Sequence, residues 1–120
     1  MRGGRERADS GMVSAELAVG LVTLLLVLSL VLGVVRTGLD RAAAVSVAGT
    51  VAREAARGGD VSEAWARSRE ALPQGATYAV RVSGSFVTVA VRAPARAGLV
   101  GLVLPDPGPV EATARVEGEP

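Results

Sequence analysis

From Leu17 through Val35 the chain reads LAVGLVTLLLVLSLVLGVV, nineteen consecutive positions without an ionisable side chain or a proline. About 20 apolar residues in a helix cross the hydrocarbon core of a bilayer. In lipid every backbone N–H and C=O must be paired within the segment, so a single span of this kind is helical. The run therefore predicts a membrane-spanning helix, and that prediction divides the rest of the chain into a part before the membrane and a part after it.

Glu16 stands at the N-terminal mouth of the run. A carboxylate costs about 2.5 to 3.5 kcal/mol at the bilayer centre, so Glu16 calls for an interfacial position or a positive partner. Residues 1–11, MRGGRERADSG, carry Arg2, Arg5 and Arg7 against Glu6 and Asp9, with glycines that oppose helix formation. They read as a leader. Arg36 and Arg41 flank the other end of the run. Three arginines and the α-amino group against two favour a cytoplasmic N-terminus and an extracytoplasmic C-terminal part, by the positive-inside rule.

Beyond Val35 the sequence stays helical in character. Ala44, Ala48, Val51 and Ala55 recur on one face, which predicts that the membrane helix continues as an amphipathic stem. Met12 to Arg57 as one helix would be about 70 Å long at 1.5 Å per residue. Gly33, Gly38 and Gly49 are points of expected weakness, and Gly58-Gly59 an expected stop. Asp60, with Glu63 three positions on, has the pattern of a capping box opening a second helix, whose inner stripe is Val61, Ala64, Trp65, Ser68 and Leu72 and which Pro73 and Gly75 end.

Thr77 to Arg92 reads as a hairpin on a type II′ turn at Gly84-Ser85. That turn sets Val82 opposite Val87, Val80 opposite Val89 and Tyr78 opposite Val91, all on one side of the ribbon. Val110 to Glu117 alternates in the same way and is the natural third strand. The stretch between them, PARAGLVGLVLPDPGP, is too apolar for a free loop. A turn of helix over the sheet, a short strand and a patch docking on a neighbouring subunit all fit it. The expected fold is thus α+β: a long N-terminal membrane helix continuing as a stem, then a short helix and a small antiparallel sheet of about three strands. The boundaries are 1–11 for the leader, 12–59 for helix and stem, and 60–120 for the head.

Composition removes several function classes. All 13 basic residues are arginine, they form no run, and the net charge is +1, so nucleic acid is not an expected partner. The chain has no Cys and no His, which takes away thiolate nucleophiles, Ser-His and Cys-His pairs, and the common nitrogen and sulfur zinc ligands. Neither enzyme activity, a cofactor, a metal nor a small-molecule substrate is expected. Trp65 reads as a core residue, Arg53, Glu54 and Arg57 as a solvated face, and Asp106 between two prolines as a turn former.

Gly11-Met12-Val13-Ser14-Ala15-Glu16, ahead of the apolar run, resembles the prepilin processing motif, a Gly followed five residues later by Glu. The same spacing recurs at Gly49 with Glu54 and Gly58 with Glu63, but only the first copy follows a basic leader and heads a membrane run. The stem ending AREAARGG is similar to that of the TadE-like family of pilus assembly proteins, as is the layout of helix, hairpin and closing strand. The resemblance implies a minor pilin or pseudopilin of a tight-adherence type IV pilus, cut by prepilin peptidase between Gly11 and Met12. Its implied partners are that peptidase, other pilin subunits, the assembly platform and the membrane. Met12 stands where the wider pilin pattern often has Phe.

Cleavage frees an ammonium at Met12, and Glu16 on an adjacent subunit is placed to neutralise it in a poor dielectric, which favours one axial stagger between packed helices. The bland alternative is that Glu16 snorkels to the headgroups. Gly20 and Thr23 are small residues that permit close helix approach. Two other readings of the whole chain stay open: a secreted protein with a signal peptide cleaved after Ala42-Ala43-Ala44, and a single-pass anchored binding protein. The apolar run is longer than the usual 7 to 15 residue core of a signal peptide.

Overall fold

The computed structural model describes residues 2–94 and 98–118. In chain order the elements are α1 (Arg2–Ala56), α2 (Val61–Ser68), a 3-10 turn (Arg69–Ala71), β1 (Thr77–Ser83), β2 (Phe86–Arg92), α3 (Leu99–Val103) and β3 (Val110–Arg115). This is the expected α+β layout of long apolar helix, short helix and three-stranded antiparallel sheet. The chain divides into two compact units, Met1–Val34 and Val35–Pro120, so the stem is grouped with the head.

α1 is helical from Arg2, through the leader where glycines were expected to oppose it, and stays unbroken across Gly33, Gly38 and Gly49. Lengthening an existing helix needs no new nucleus, so a penalty of about 1 kcal/mol per glycine is absorbed by propagation from a strong neighbouring segment. Around Gly49 tertiary packing contributes as well, since Val47, Ala48, Val51 and Ala52 are all buried. The helix stops where the sequence places its stop. Gly58 takes φ +76°, its N–H donates to the Ala55 carbonyl at 3.1 Å, and the Gly59 N–H donates to the Glu54 carbonyl at 3.0 Å. These two bonds form a Schellman closure, whose left-handed residue is cheapest as glycine.

Asp60 caps α2: its side chain accepts from the Glu63 N–H at 3.1 Å. The Glu63 carboxylate lies 3.8 Å from Arg67, one turn on. Ala64, Trp65 and Leu72 are buried, whereas Val61 and Ser68 are only half-buried. Leu72 is extended because the following Pro73 disfavours the helical region for it.

The sheet runs β1-β2-β3, each strand pairing with the one before it in the chain. The hairpin register is the expected one: Tyr78 pairs with Val91, Val80 with Val89 and Val82 with Val87. Gly84 has φ +58° while, among the described residues, no non-glycine, Ser85 included, has positive φ, the combination that separates a type II′ turn from type I′. β3 continues the ladder, with Val87 opposite Ala114 and Val89 opposite Ala112. One face of the sheet thus meets Ala44, Val47, Ala48, Val51 and Ala52 of α1 and Ala64 and Trp65 of α2 in a single core. Trp65 stacks on Tyr78 with ring centroids 4.6 Å apart.

Two departures from expectation concern burial rather than register. Val80 and Val82 face the core side with Val87 and Val89, yet they are 37% and 69% exposed. α2 brings Trp65 to β1 at the Tyr78 end, and neither Val80 nor Val82 belongs to the described core or to the partly buried residues packed on it. The unassigned stretch before β3 forms the short helix α3, of which only Val100 is buried. Residues 95–97 of that stretch lie outside the described residues.

On the other face of the sheet Arg81 donates to Glu111 at 2.6 Å, reaching across β2, and the Thr88 and Thr113 hydroxyls meet at 2.9 Å. Arg92 donates to Asp106 at 2.6 Å. Asp106 also accepts from the Gly108 N–H at 2.9 Å, the two-residue Asx turn expected between its prolines.

Candidate functional site

Gly11, Met12 and Glu16 all fall in the N-terminal part of α1, and all three are exposed. An ideal Cβ built on Gly11 meets no atom within 4 Å, so nothing in the fold demands glycine there. Met12 and Glu16 are four residues apart on one helix, which puts them on the same face one turn from each other. Were the chain to begin at Met12, the carboxylate of Glu16 would lie near the first turn, where the unpaired N–H groups carry the positive end of the helix dipole. The three residues are thus accessible and close along the axis, and the fold gives Glu16 an electrostatic setting only if the leader is removed.

Following Glu16, the helix is apolar on all sides. Leu24, Leu25, Leu26, Val27 and Leu28 occupy consecutive positions, which at 100° per residue cover the whole circumference. Fifteen large apolar side chains between Met12 and Val35 are 45% to 73% exposed, and no part of the most apolar window is buried. Covering that surface is worth on the order of 15 kcal/mol, taking half of the burial value of each side chain. This equals the stability of a whole domain. The hydroxyl of Thr23, the polar interruption beside Gly20, donates to the Val19 carbonyl at 2.9 Å, so it adds no unsatisfied donor to the helix surface. An ideal Cβ at Gly20 likewise meets nothing within 4 Å.

The Val35–Pro120 unit holds one feature that sequence reasoning missed, a cleft of about 280 Å³ between the first stem residues and the α3 segment. Thr37, Asp40 and Ala44 form one wall, and Val100, Leu104 and Pro105 form the other, with Val91 at the base of the sheet. Asp40 has 18% of its side chain exposed and lies 3.8 Å from Arg36. The signal that pointed here was the apolarity of LVGLVL between prolines, whose partner wall only the fold identifies. Among the described residues no group of three or more metal-ligating side chains assembles. No family model, no curated protein and no solved structure matches the chain.

Proposed function

We propose that this chain is a TadE-like minor pilin or pseudopilin, a structural and assembly subunit of a tight-adherence type IV pilus. In this reading Leu17–Val35 spans the cell membrane with the N-terminus in the cytoplasm, and the small α+β head is extracytoplasmic. Prepilin peptidase removes the leader between Gly11 and Met12. The subunit then works by lateral packing of its helix against other pilin subunits and the assembly platform, with no catalysis, nucleic acid or small-molecule substrate of its own.

The observation that carries the reading is an apolar helix uncovered on every side and headed by an accessible Gly11-Met12 and a single acid, Glu16. Lipid or other helices supply the cover that the chain itself does not. A new ammonium at Met12 gives Glu16 a partner, and the pairing fixes the stagger between neighbouring helices because other staggers strand both ions.

A secreted protein with a cleaved signal peptide is less well supported. Ala44 is 2% exposed and belongs to the core of the head. A cut after it removes that side chain together with the cleft wall at Thr37 and Asp40.

The test is the N-terminal mass of the mature protein isolated from its native membrane. A chain beginning at Met12 is the expected result. A chain beginning at Val45 replaces the proposal with a secreted protein, and an intact Met1 replaces it with a plain anchor.

A further inference from the structure

We infer that the open edge of β1 is a self-association surface, where β1 pairs antiparallel with β1 of a second copy about a two-fold axis at Val80 and joins the two sheets into one. The surface lies wholly within the Val35–Pro120 unit, and the pairing is independent of any membrane or pilus role.

β1 has a neighbouring strand on one side only, because the sheet ends at it. Ser83 and Phe86 flank the two-residue turn as a pair, so they exchange hydrogen bonds, and the alternation of an antiparallel ladder then assigns the remaining positions. Thr77, Ala79, Arg81 and Ser83 turn their backbone groups to β2. Tyr78, Val80 and Val82 turn theirs outward, where no backbone partner meets them among the described residues. Groups at this spacing are matched by another extended strand. β1 is seven residues long, holds no proline and pairs without a bulge, so none of these devices protects its edge. Its one charged side chain, Arg81, is held back across β2 by Glu111 at 2.6 Å.

The sequence of the strand selects a second copy as the occupant. In the register centred on Val80, every outward backbone position meets another: Val80 meets its own copy, Tyr78 the second copy's Val82, and Val82 the second copy's Tyr78. These side chains share the core face, so each Tyr78 ring is brought beside a Val82 that its own chain leaves 69% exposed. On the outer face Arg81 meets Ala79, a small residue that leaves the guanidinium on Glu111. The edge of β3 offers no comparable surface, since Val110, Ala112 and Ala114 are half-buried against the core and Glu111 is engaged by Arg81. One strand pair buries less than the roughly 1,200 Å² at which stable complexes begin, so the association depends on protein concentration.

Two measurements on the full chain in detergent micelles test the pairing. In the unmodified chain, amide hydrogen exchange is read at low and high protein-to-detergent ratio. Tyr78, Val80 and Val82 are expected to gain at least tenfold protection at the high ratio, while Ala79 and Arg81 are protected at both. Equally fast exchange of the three edge amides at both ratios overturns the pairing, as does their protection in a chain that sediments as a monomer.

Val80→Cys gives this cysteine-free chain a single thiol. Paired Cα atoms there lie about 5.5 Å apart, inside the range of about 4.4 to 6.8 Å for a disulfide, so oxidation with copper phenanthroline is expected to yield a covalent dimer. Phe86→Cys, exposed on β2, lies three strand spacings or about 14 Å or more from its copy and is expected to cross-link several-fold less. Adding Val82→Lys is expected to abolish the cross-link at 80 while the near-ultraviolet signal of Trp65 is retained. No cross-link at 80 in a chain with that signal, equal cross-linking at 80 and 86, or a cross-link at 80 that survives Val82→Lys overturns the proposal.

Discussion

The backbone N–H of Glu117 donates to the carbonyl of Ala56 at 2.9 Å, joining the segment after the last strand to the last turn of the stem helix. The carbonyls of a final helical turn have no partner within the helix, so this bond satisfies one that would otherwise rely on water. One residue earlier, the Val116 N–H donates to the Ser85 carbonyl at 2.7 Å. Ending the chain after Arg115 removes both bonds and is expected to cost about 2 kcal/mol of head stability. Glu117→Ala keeps the backbone and is expected to change stability by less than about 0.5 kcal/mol. Denaturant unfolding followed by Trp65 fluorescence compares the two.

Ala48 is fully buried in the core, whereas Ala42, on the same helix, is exposed. Ala48→Leu is expected to destabilise the head by about 1 to 3 kcal/mol through overpacking. Ala42→Leu is expected to stay within about 0.5 kcal/mol of the parent. A fragment of residues 60–120 lacks every α1 contribution to the core, and its amide NMR spectrum is expected to show the narrow dispersion of an unfolded chain. Native-like dispersion there would contradict the role given to the stem.

Glycine matters at the hairpin turn and not in the apolar run. Gly84 holds φ +58°, so Gly84→Ala is expected to cost about 1 to 2 kcal/mol. Gly20 is helical with open space around its missing Cβ, and Gly20→Ala is expected to be tolerated or to gain up to about 1 kcal/mol of helix propensity. If Gly20→Ala nonetheless weakens assembly with other subunits, Gly20 lies at a helix–helix contact.

Gly11→Leu is expected to block removal of the leader. Because no atom lies near a Cβ at that position, the loss reports recognition by the peptidase and not misfolding. Glu16→Ala is expected to be processed normally but to enter assemblies with other pilin subunits poorly. Undiminished incorporation of Glu16→Ala, measured by co-purification from the native membrane, removes the pairing role.

Asp106 makes two contacts and Glu111 one ion pair. Asp106→Ala loses the bond to Arg92 and the turn bond from Gly108, for about 1 to 2 kcal/mol in all. Glu111→Ala loses a pair in which both side chains are half or more exposed, for about 0.5 kcal/mol or less. Asp106→Asn retains the turn acceptor and is expected to fall between them, as thermal unfolding can show.

The register of the hairpin, the Schellman stop, the Asp60 cap and the Asx turn at Asp106 were all legible in the sequence, because each depends on residues within a few positions of one another. Burial was less legible. Nothing local distinguishes Val82, 69% exposed, from Val87, 3% exposed: the two are paired, but Val87 sits on the central strand with Ala114 on its other side and Val82 on an edge strand. The form of α3 was equally hidden: a five-residue apolar segment fits a helix or a strand by periodicity, and its partner wall at Thr37 and Asp40 is some sixty residues away in the chain. At the processing site the positions of Gly11, Met12 and Glu16 came from motif alone. The fold adds that they are exposed and that Met12 and Glu16 share a face one turn apart.

Strand order in this sheet equals chain order, and the helix that supports the strands is made before any of them. During synthesis each new strand therefore emerges after the one it pairs with, so every pairing joins strands that are consecutive in the chain. Such sequential assembly keeps the separation between pairing residues short, the condition under which small domains fold fastest. For a chain whose first segment is a long apolar stretch exposed to aggregation, rapid completion of the remainder limits the time spent half-made.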